Sequence, residues 1–539
     1  MGAVMTIDQP PGNGNVGHHR AIIADLVVLL ALVAAFVFFA WRSDFVSDDA
    51  FISFRYARNL VDGNGLTFNP GERVEGFSNL LFVLLIAGLH AAGLDPVAAG
   101  RLIGLAAGVL LICVAYRLVL VAAGASARLF AGIAVAALAC NAYVAVWSRG
   151  GLETTLYALL ILCTALPLAA RGCTRRSFFW SSLAACALTL TRLEGVAVYA
   201  LLLLWALAVS RERRSAGLRD LLPGVGVYIT ALALMTLWRF AYYGELVPNT
   251  FFTKSGFTLN HAWRGIVYLQ DFAQNLYVAP ALVLAGLSLL SLRRKAVPLL
   301  LLLLAELMLI VVAEGGDGLP AYRFIVPLLA PLFILTGVGA SALAGRLKAL
   351  WRPLELLAFA ALLTLVPLSR LMERDVQYRL YDSQTRFEVP TWTFIGTWLK
   401  NNVPPGTTLA TIPIGAVSYY SGLPMIDMMG LTDSHIAKRP VASLGAGWAG
   451  HEKSDGPYVL SRRPDILLLG NIFVSRAPLS GTGNFPPHYD PSTYARERDL
   501  VSDPRFASEY RYAALPLGNG LFLHVFVRKG FQPLPGTSG

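Results

Sequence analysis

Apolar runs of about twenty residues, the length a helix needs to cross a hydrocarbon core, alternate with short polar stretches through the first two-thirds of the chain. They fall near 21–41, 101–122, 128–147, 153–170, 177–192, 194–210, 221–241, 276–292, 296–313, 321–344 and 353–369, and predict about eleven transmembrane helices. A weaker run over 79–94 is read as a juxtamembrane or re-entrant helix on the outer face, because of loop charge. Were it a span, Arg211, Arg213, Arg214 and Arg219 would lie outside together with Arg293, Arg294 and Lys295, against the positive-inside bias. Left out of the count, it puts Arg20 and the basic loops at 117–128, 171–176, 211–219, 293–295 and 346–352 in the cytoplasm. The acidic, glycine-rich and aromatic loops then share the opposite face: 47–76, 148–153, 192–195, 242–256 and 314–323.

Beyond about residue 370 the pattern changes: Tyr, Asp, Arg, Pro and Gly become frequent and no further span follows. Short runs at 408–412, 416–420, 466–469 and 521–527 read as strands, and 394–402 as an amphipathic helix stopped by Pro404 and Pro405. The expected organisation is a cytoplasmic tail (1–20), a membrane domain (21–369) with an outer loop at 42–100, and a soluble α/β domain on the periplasmic side (370–539).

Composition agrees with this class. Of 539 residues, 55% are hydrophobic and only 14% charged, and the mean hydropathy is +0.58, as in a polytopic membrane protein. The net charge of +11 gathers in short loops, where it reports topology and argues against nucleic-acid binding. Cys113, Cys140, Cys163, Cys173 and Cys186 lack metal-type spacing and read as small apolar residues. The first apolar run is too long for a signal-peptide core and reads as a retained helix.

Candidate chemistry sits in the outer loops. Asp48 and Asp49 follow the first span, where an ionised carboxylate reaching an acceptor hydroxyl suits a general base. Capping of the following helix is the structural alternative, and it occupies only one of the two. Arg55 and Arg58 can fork a phosphate or form salt bridges. Glu72, Arg73 and Glu75 follow a turn and suit sugar hydroxyls or plain solvation; Arg149 with Glu153 and Arg192 with Glu194 pair charges at membrane depth. The segment 242–254, with Asn249 and Lys254, can seat a lipid phosphate or form an aromatic belt, and Asp317 with Arg323 adds a further acidic turn and cation. Neither a P-loop nor a dinucleotide fingerprint is present.

The segments Asp48-Asp49-Ala50-Phe51-Ile52-Ser53-Phe54-Arg55-Tyr56-Ala57, Asn69-Pro70-Gly71-Glu72-Arg73-Val74-Glu75-Gly76, Gly151-Leu152-Glu153-Thr154, Arg192-Leu193-Glu194-Gly195, Val247-Pro248-Asn249-Thr250-Phe251-Phe252-Thr253-Lys254, Gly315-Gly316-Asp317, Asp427-Met428-Met429-Gly430-Leu431-Thr432-Asp433 and Gly450-His451-Glu452-Lys453 together resemble the mycobacterial terminal arabinofuranosyltransferases. These are polytopic GT-C enzymes using decaprenyl-phosphate-linked arabinofuranose. The resemblance implies a GT-C fold in the cytoplasmic membrane, a polyprenyl-phosphate sugar donor from the outer leaflet, and an acidic residue of the first outer loop at the reaction centre. On that basis Asp48 or Asp49 is the expected base, and Arg55, Lys254 and Arg323 the expected phosphate ligands. Glu72, Glu75, Glu153, Glu194, Asn249 and Asp317 are the expected sugar ligands. Asp427, Asp433, His451, Glu452 and Lys453 are expected to face a glycan, glycolipid or glycoprotein acceptor. The sequence identifies no certain cofactor, and the paired aspartates could hold a divalent cation. A GT-C transferase using polyprenyl-phosphate mannose and a lipid-linked sugar flippase are the alternatives; a flippase should show symmetric halves with broken helices.

Overall fold

The computed structural model describes residues 13–213, 217–254, 258–274, 278–346, 376–441, 444–447, 449–476 and 497–533. The run at 353–369, expected to span, lies outside them. Among the described residues six helices are long and apolar enough to cross a membrane: His19–Trp41, Pro96–Ala123, Thr154–Arg171, Arg219–Tyr243, Ala296–Ala313 and Arg323–Arg346. Two bent pairs bring the number to eight if each is one span.

The local chemistry explains where helices start and break. Pro96–Ala123 begins five residues before the apolar run because Asp95 accepts from the Val97 and Ala98 N–H groups, with Pro96 at its first turn. The run at 128–147 is not one rod: its two halves meet at 55°. There Asn141 accepts from Tyr143 and Val144, capping a new helix, Ala142–Arg149. The 79–94 run holds a helix of only 12 residues, Leu80–Ala91, about 18 Å long and short of a 30 Å core.

Arg323–Arg346 is the central rod, with 94% of its apolar window buried against 11% for His19–Trp41 at the periphery. Helices Pro96–Ala123, Arg128–Ala139, Thr154–Arg171, Val278–Leu287 and Ala296–Ala313 pack around it. Gly339 permits the closest approach: a Cβ there would lie 1.8 Å from the Leu284 carbonyl oxygen, the small-residue contact by which membrane helices pack.

The C-terminal region carries a mixed sheet of β1 (Leu409–Thr411), β2 (Met425–Asp427), β3 (Ile466–Leu468), β4 (Val474–Ser475), β5 (Tyr510–Gly518) and β6 (Leu521–Arg528), in the order β2-β1-β3-β6-β4 with β5 also on β6. β1 runs parallel to β2 and β3, whereas β6 is antiparallel to β3, β4 and β5. The three parallel strands are buried throughout, as apolar parallel strands require. The segment 416–420, expected as a strand, is helical over Ala416–Ser421 and closes on left-handed Gly422. The helix expected at 394–402 starts earlier, at Val389.

Candidate active site

The helix Asp48–Val61 lies against the segment Gly415–Met425, and the side chains between them decide which loop residues are free to act. Asp48 does not cap its own helix. Its Oδ2 accepts from the Gly415 N–H at 3.0 Å and Oδ1 from the Ala416 N–H at 2.7 Å, at the start of helix Ala416–Ser421. Burial pushes its pKa up to about 7, and the two N–H bonds hold that rise in check. Gly415 must be glycine, since a Cβ would sit 1.9 Å from the Asp48 carbonyl oxygen. Asp49 is half-exposed and makes no hydrogen bond to any described residue.

Arg55, expected on the donor phosphate, is directed elsewhere. Its Nε donates to the Phe68 carbonyl (2.8 Å), Nη1 to Ser418 (2.7 Å), and Nη2 to Leu423 (2.9 Å) and Asn69 Oδ1 (3.2 Å), with the guanidinium over the Phe68 ring. It is a staple between the outer loop and the C-terminal region, and it does not line the cavity described below. Several other expected ligands are staples too. Glu75 takes a two-point ion pair from Arg239 (2.5 and 3.2 Å), both buried. Glu72 bonds Asn69 and Arg462. Asn249 donates to the Gly430 and Leu431 carbonyls at 2.7 and 2.9 Å. Asp427 accepts from the Met429 and Thr432 N–H groups and closes its own loop. Asp433 caps Ser434–Lys438, Glu452 accepts from Gly445 and Gly447 and pairs with Arg264, and Lys453 donates to the Phe252 and Ala437 carbonyls. In the structure the polar groups of these residues, expected to bind sugar or acceptor, are engaged in contacts that close the fold. The Lys254 side chain lies outside the described residues.

The residues that converge do so around a cavity of about 300 Å³ between the membrane helices and the C-terminal region, lined by Asp48, Asp49, Asp317, Arg323, Gln384, Glu388, Trp392, His451 and Asn471 among others. Ile412 follows β1, Met429 and Leu431 follow β2, and Asn471 follows β3, so the cavity opens at the carboxyl ends of the parallel strands, where α/β sheets hold ligands. From the membrane side comes Arg323, placed by two left-handed residues, Ala321 and Tyr322. Its Nε and Nη2 bond both oxygens of Asp317 at 2.7 and 2.9 Å, a fork that fixes the guanidinium's plane. Arg323 also lines a second, narrower crevice with Glu153, Tyr157, Arg192, Glu194 and Glu314. There Arg192 bridges Glu153, Glu194 and Glu314 at 3.1, 2.7 and 3.3 Å, and Glu153 also accepts from Asn79 at 2.8 Å. Glu153 and Glu194 thus belong to an ion network beside the cavity and do not line it.

Gln384, Glu388, Trp392 and Asn471 were not anticipated; the four-residue spacing of the first three was the available signal. Arg239 was also missed, although a cation inside an apolar run is itself a signal. Among the described residues no group of three or more His, Cys, Asp or Glu side chains is arranged to hold a metal ion. The acidic pair presents one hydrogen-bond-free carboxylate, not two.

Residues 375–514 match a domain of unknown function, DUF8728. The chain is 29% identical to a terminal β-(1→2)-arabinofuranosyltransferase of Mycobacterium tuberculosis over 49% of this chain and 44% of that one. It is also 29% identical to a protein of the same name from Corynebacterium glutamicum, over 59% and 52%. The chain spans about half the length of the curated relatives it matches. Its fold is that of ArnT from Cupriavidus metallidurans, solved with undecaprenyl phosphate bound, at TM-score 0.54 and 14% identity over 95% of this chain and 98% of ArnT; the apo form gives 0.53.

Proposed function

We propose that this chain, a relative of the terminal arabinofuranosyltransferases with a polytopic GT-C fold, transfers an arabinofuranosyl residue from a polyprenyl-phosphate donor to a cell-envelope glycan. Asp49 takes the proton from the acceptor hydroxyl as that oxygen bonds to the anomeric carbon. The bond from that carbon to the lipid phosphate oxygen breaks, and Arg323 faces the departing phosphate. Asp48 holds the loop that carries Asp49.

A single observation supports this assignment most directly: Asp49, free of hydrogen bonds among the described residues, and Arg323, fixed by Asp317, line the same cavity. A base needs an unengaged oxygen within reach of its proton, and a phosphate leaving group needs a fixed cation near it. The volume lies at the lower end of small-molecule sites, about 300–1,000 Å³. Loop charge favours an extracytoplasmic site in the cytoplasmic membrane, with the basic loops opposite.

The test is transfer by the purified, membrane-reconstituted protein, with a short-chain polyprenyl-phosphate arabinofuranose as donor and the mannose analogue as competitor. Asp49→Asn should lower kcat by at least 100-fold while leaving donor KM within about threefold. Arg323→Lys, which cannot reproduce the fork, should lower kcat about tenfold or more. Full turnover by Asp49→Asn removes the base assignment, and preference for mannose removes the donor.

A further inference from the structure

One wall of the cavity is a single helical stripe, Leu380, Gln384, Glu388 and Trp392, spaced four residues apart. In an α-helix each such step drifts by about 40°, so Leu380 and Trp392 would face about 120° apart. They nevertheless line one cavity, because the segment Gln384–Glu388 is a π turn between helices Val376–Ser383 and Val389–Asn402. A π turn holds an extra residue per turn and rotates the chain back against the drift; such turns occur frequently at functional sites.

The stripe is polar where the cavity needs it. Gln384 Oε1 is buried and has no hydrogen-bond partner among the described residues, an unfavourable condition unless a ligand or water meets it. Glu388 uses Oε1 to accept from Ser383 at 3.0 Å, and no bond to a described residue engages Oε2. Trp392 closes the end, its Nε1 directed to the Asn471 carbonyl, and Asn471 and Ile472 are both held in left-handed conformations there.

We infer that Gln384 and Glu388, brought into phase by the π turn, form the acceptor subsite, and that the acceptor is a carbohydrate bound through two hydroxyl groups. The inference rests on the proposed transferase reading and adds the residues that hold the acceptor. Two side-chain oxygens awaiting donors beside an indole wall match neighbouring sugar hydroxyls above an apolar ring face. A peptide bound by strand addition would pair along a sheet edge, and the cavity meets the ends of β1, β2 and β3, not an edge.

The test uses the reconstituted full chain, a short-chain polyprenyl-phosphate arabinofuranose donor, a synthetic arabinofuranosyl oligosaccharide and, in parallel, a serine/threonine-rich peptide. Release of free arabinose to water is measured separately. Gln384→Leu and Glu388→Gln should each raise oligosaccharide KM at least tenfold, leaving donor KM and hydrolysis to water within twofold. Gln384→Glu, which retains an acceptor oxygen, should recover much of the affinity and guards against misfolding of the leucine variant. Unchanged oligosaccharide KM in properly folded variants overturns the subsite. Donor hydrolysis by the wild type without transfer to the oligosaccharide, or transfer to the peptide in its place, overturns the carbohydrate acceptor while the donor reading stands. Neither hydrolysis nor transfer by the wild type defeats the transferase reading and the subsite with it.

Discussion

Asp48 and Asp49 are adjacent and chemically identical, yet the fold separates them by what their oxygens touch. Asp48 meets two backbone N–H groups across more than 360 positions of chain, and Asp49 meets none among the described residues. That division could not be read from the sequence, because the partner N–H groups of Gly415 and Ala416 bear no residue signature. The same holds for Arg55, whose forked donors suit carbonyls as well as phosphate. The Asp48 carboxyl carries a pH signature. Its folded pKa of about 7 lies above the ordinary 3.8, so the docked state holds a proton that the unfolded chain releases. Its contribution to stability is complete below about pH 4 and is lost as pH rises through 7. Thermal unfolding in detergent should therefore show a stability increment between pH 7 and pH 5 that is absent in Asp48→Asn. Arg55→Ala should destabilise the protein by roughly 3 kcal/mol through orphaned buried carbonyls, and Arg55→Lys should restore little, since an ammonium cannot span the four acceptors. Chemical unfolding of both variants checks this.

Among the elements, the long apolar helices were legible from periodicity and hydropathy, and loop charge correctly singled out the 79–94 run as different. What hydropathy missed was every interruption made by a single polar atom. Asn141, inside an otherwise apolar run, ends one helix and caps the next. Gly415 and Gly422 bracket a helix where short apolar runs had suggested a strand. The π turn had no hydropathy signature, because adding a residue to one turn leaves composition unchanged. Its geometry nevertheless makes a prediction at this scale. Inserting one alanine between Glu388 and Val389, just past the turn, should rotate Trp392 by about 100° relative to Leu380. Transfer should fall at least tenfold, while circular dichroism and detergent-extracted yield remain close to wild type.

Across the whole molecule, most of the loop motif residues tie the membrane helices to the C-terminal region, and the cavity lies at that junction. The polytopic helical architecture was legible in the sequence, and Asp48 and Asp49 do line the cavity, whereas the internal partners of the other charged side chains were not, because solvent is the default partner of a loop. Arg239 and Glu75 show the difference most clearly: the pair is buried on both sides. Removing one partner with Glu75→Ala should cost about 3–5 kcal/mol, whereas replacing both by apolar residues of similar size should recover most of it; a double-mutant cycle of unfolding free energies measures the coupling.

The enclosure of the central rod reaches further than packing. A helix in contact with lipid answers a thinner or thicker bilayer by tilting. Arg323–Arg346 meets protein on nearly every side, so the acyl chains have little purchase on it. The guanidinium at its outer end should keep its height above the membrane midplane, and turnover in nanodiscs of short- and long-chain phospholipids should stay nearly constant even as the peripheral His19–Trp41 helix leans to follow them.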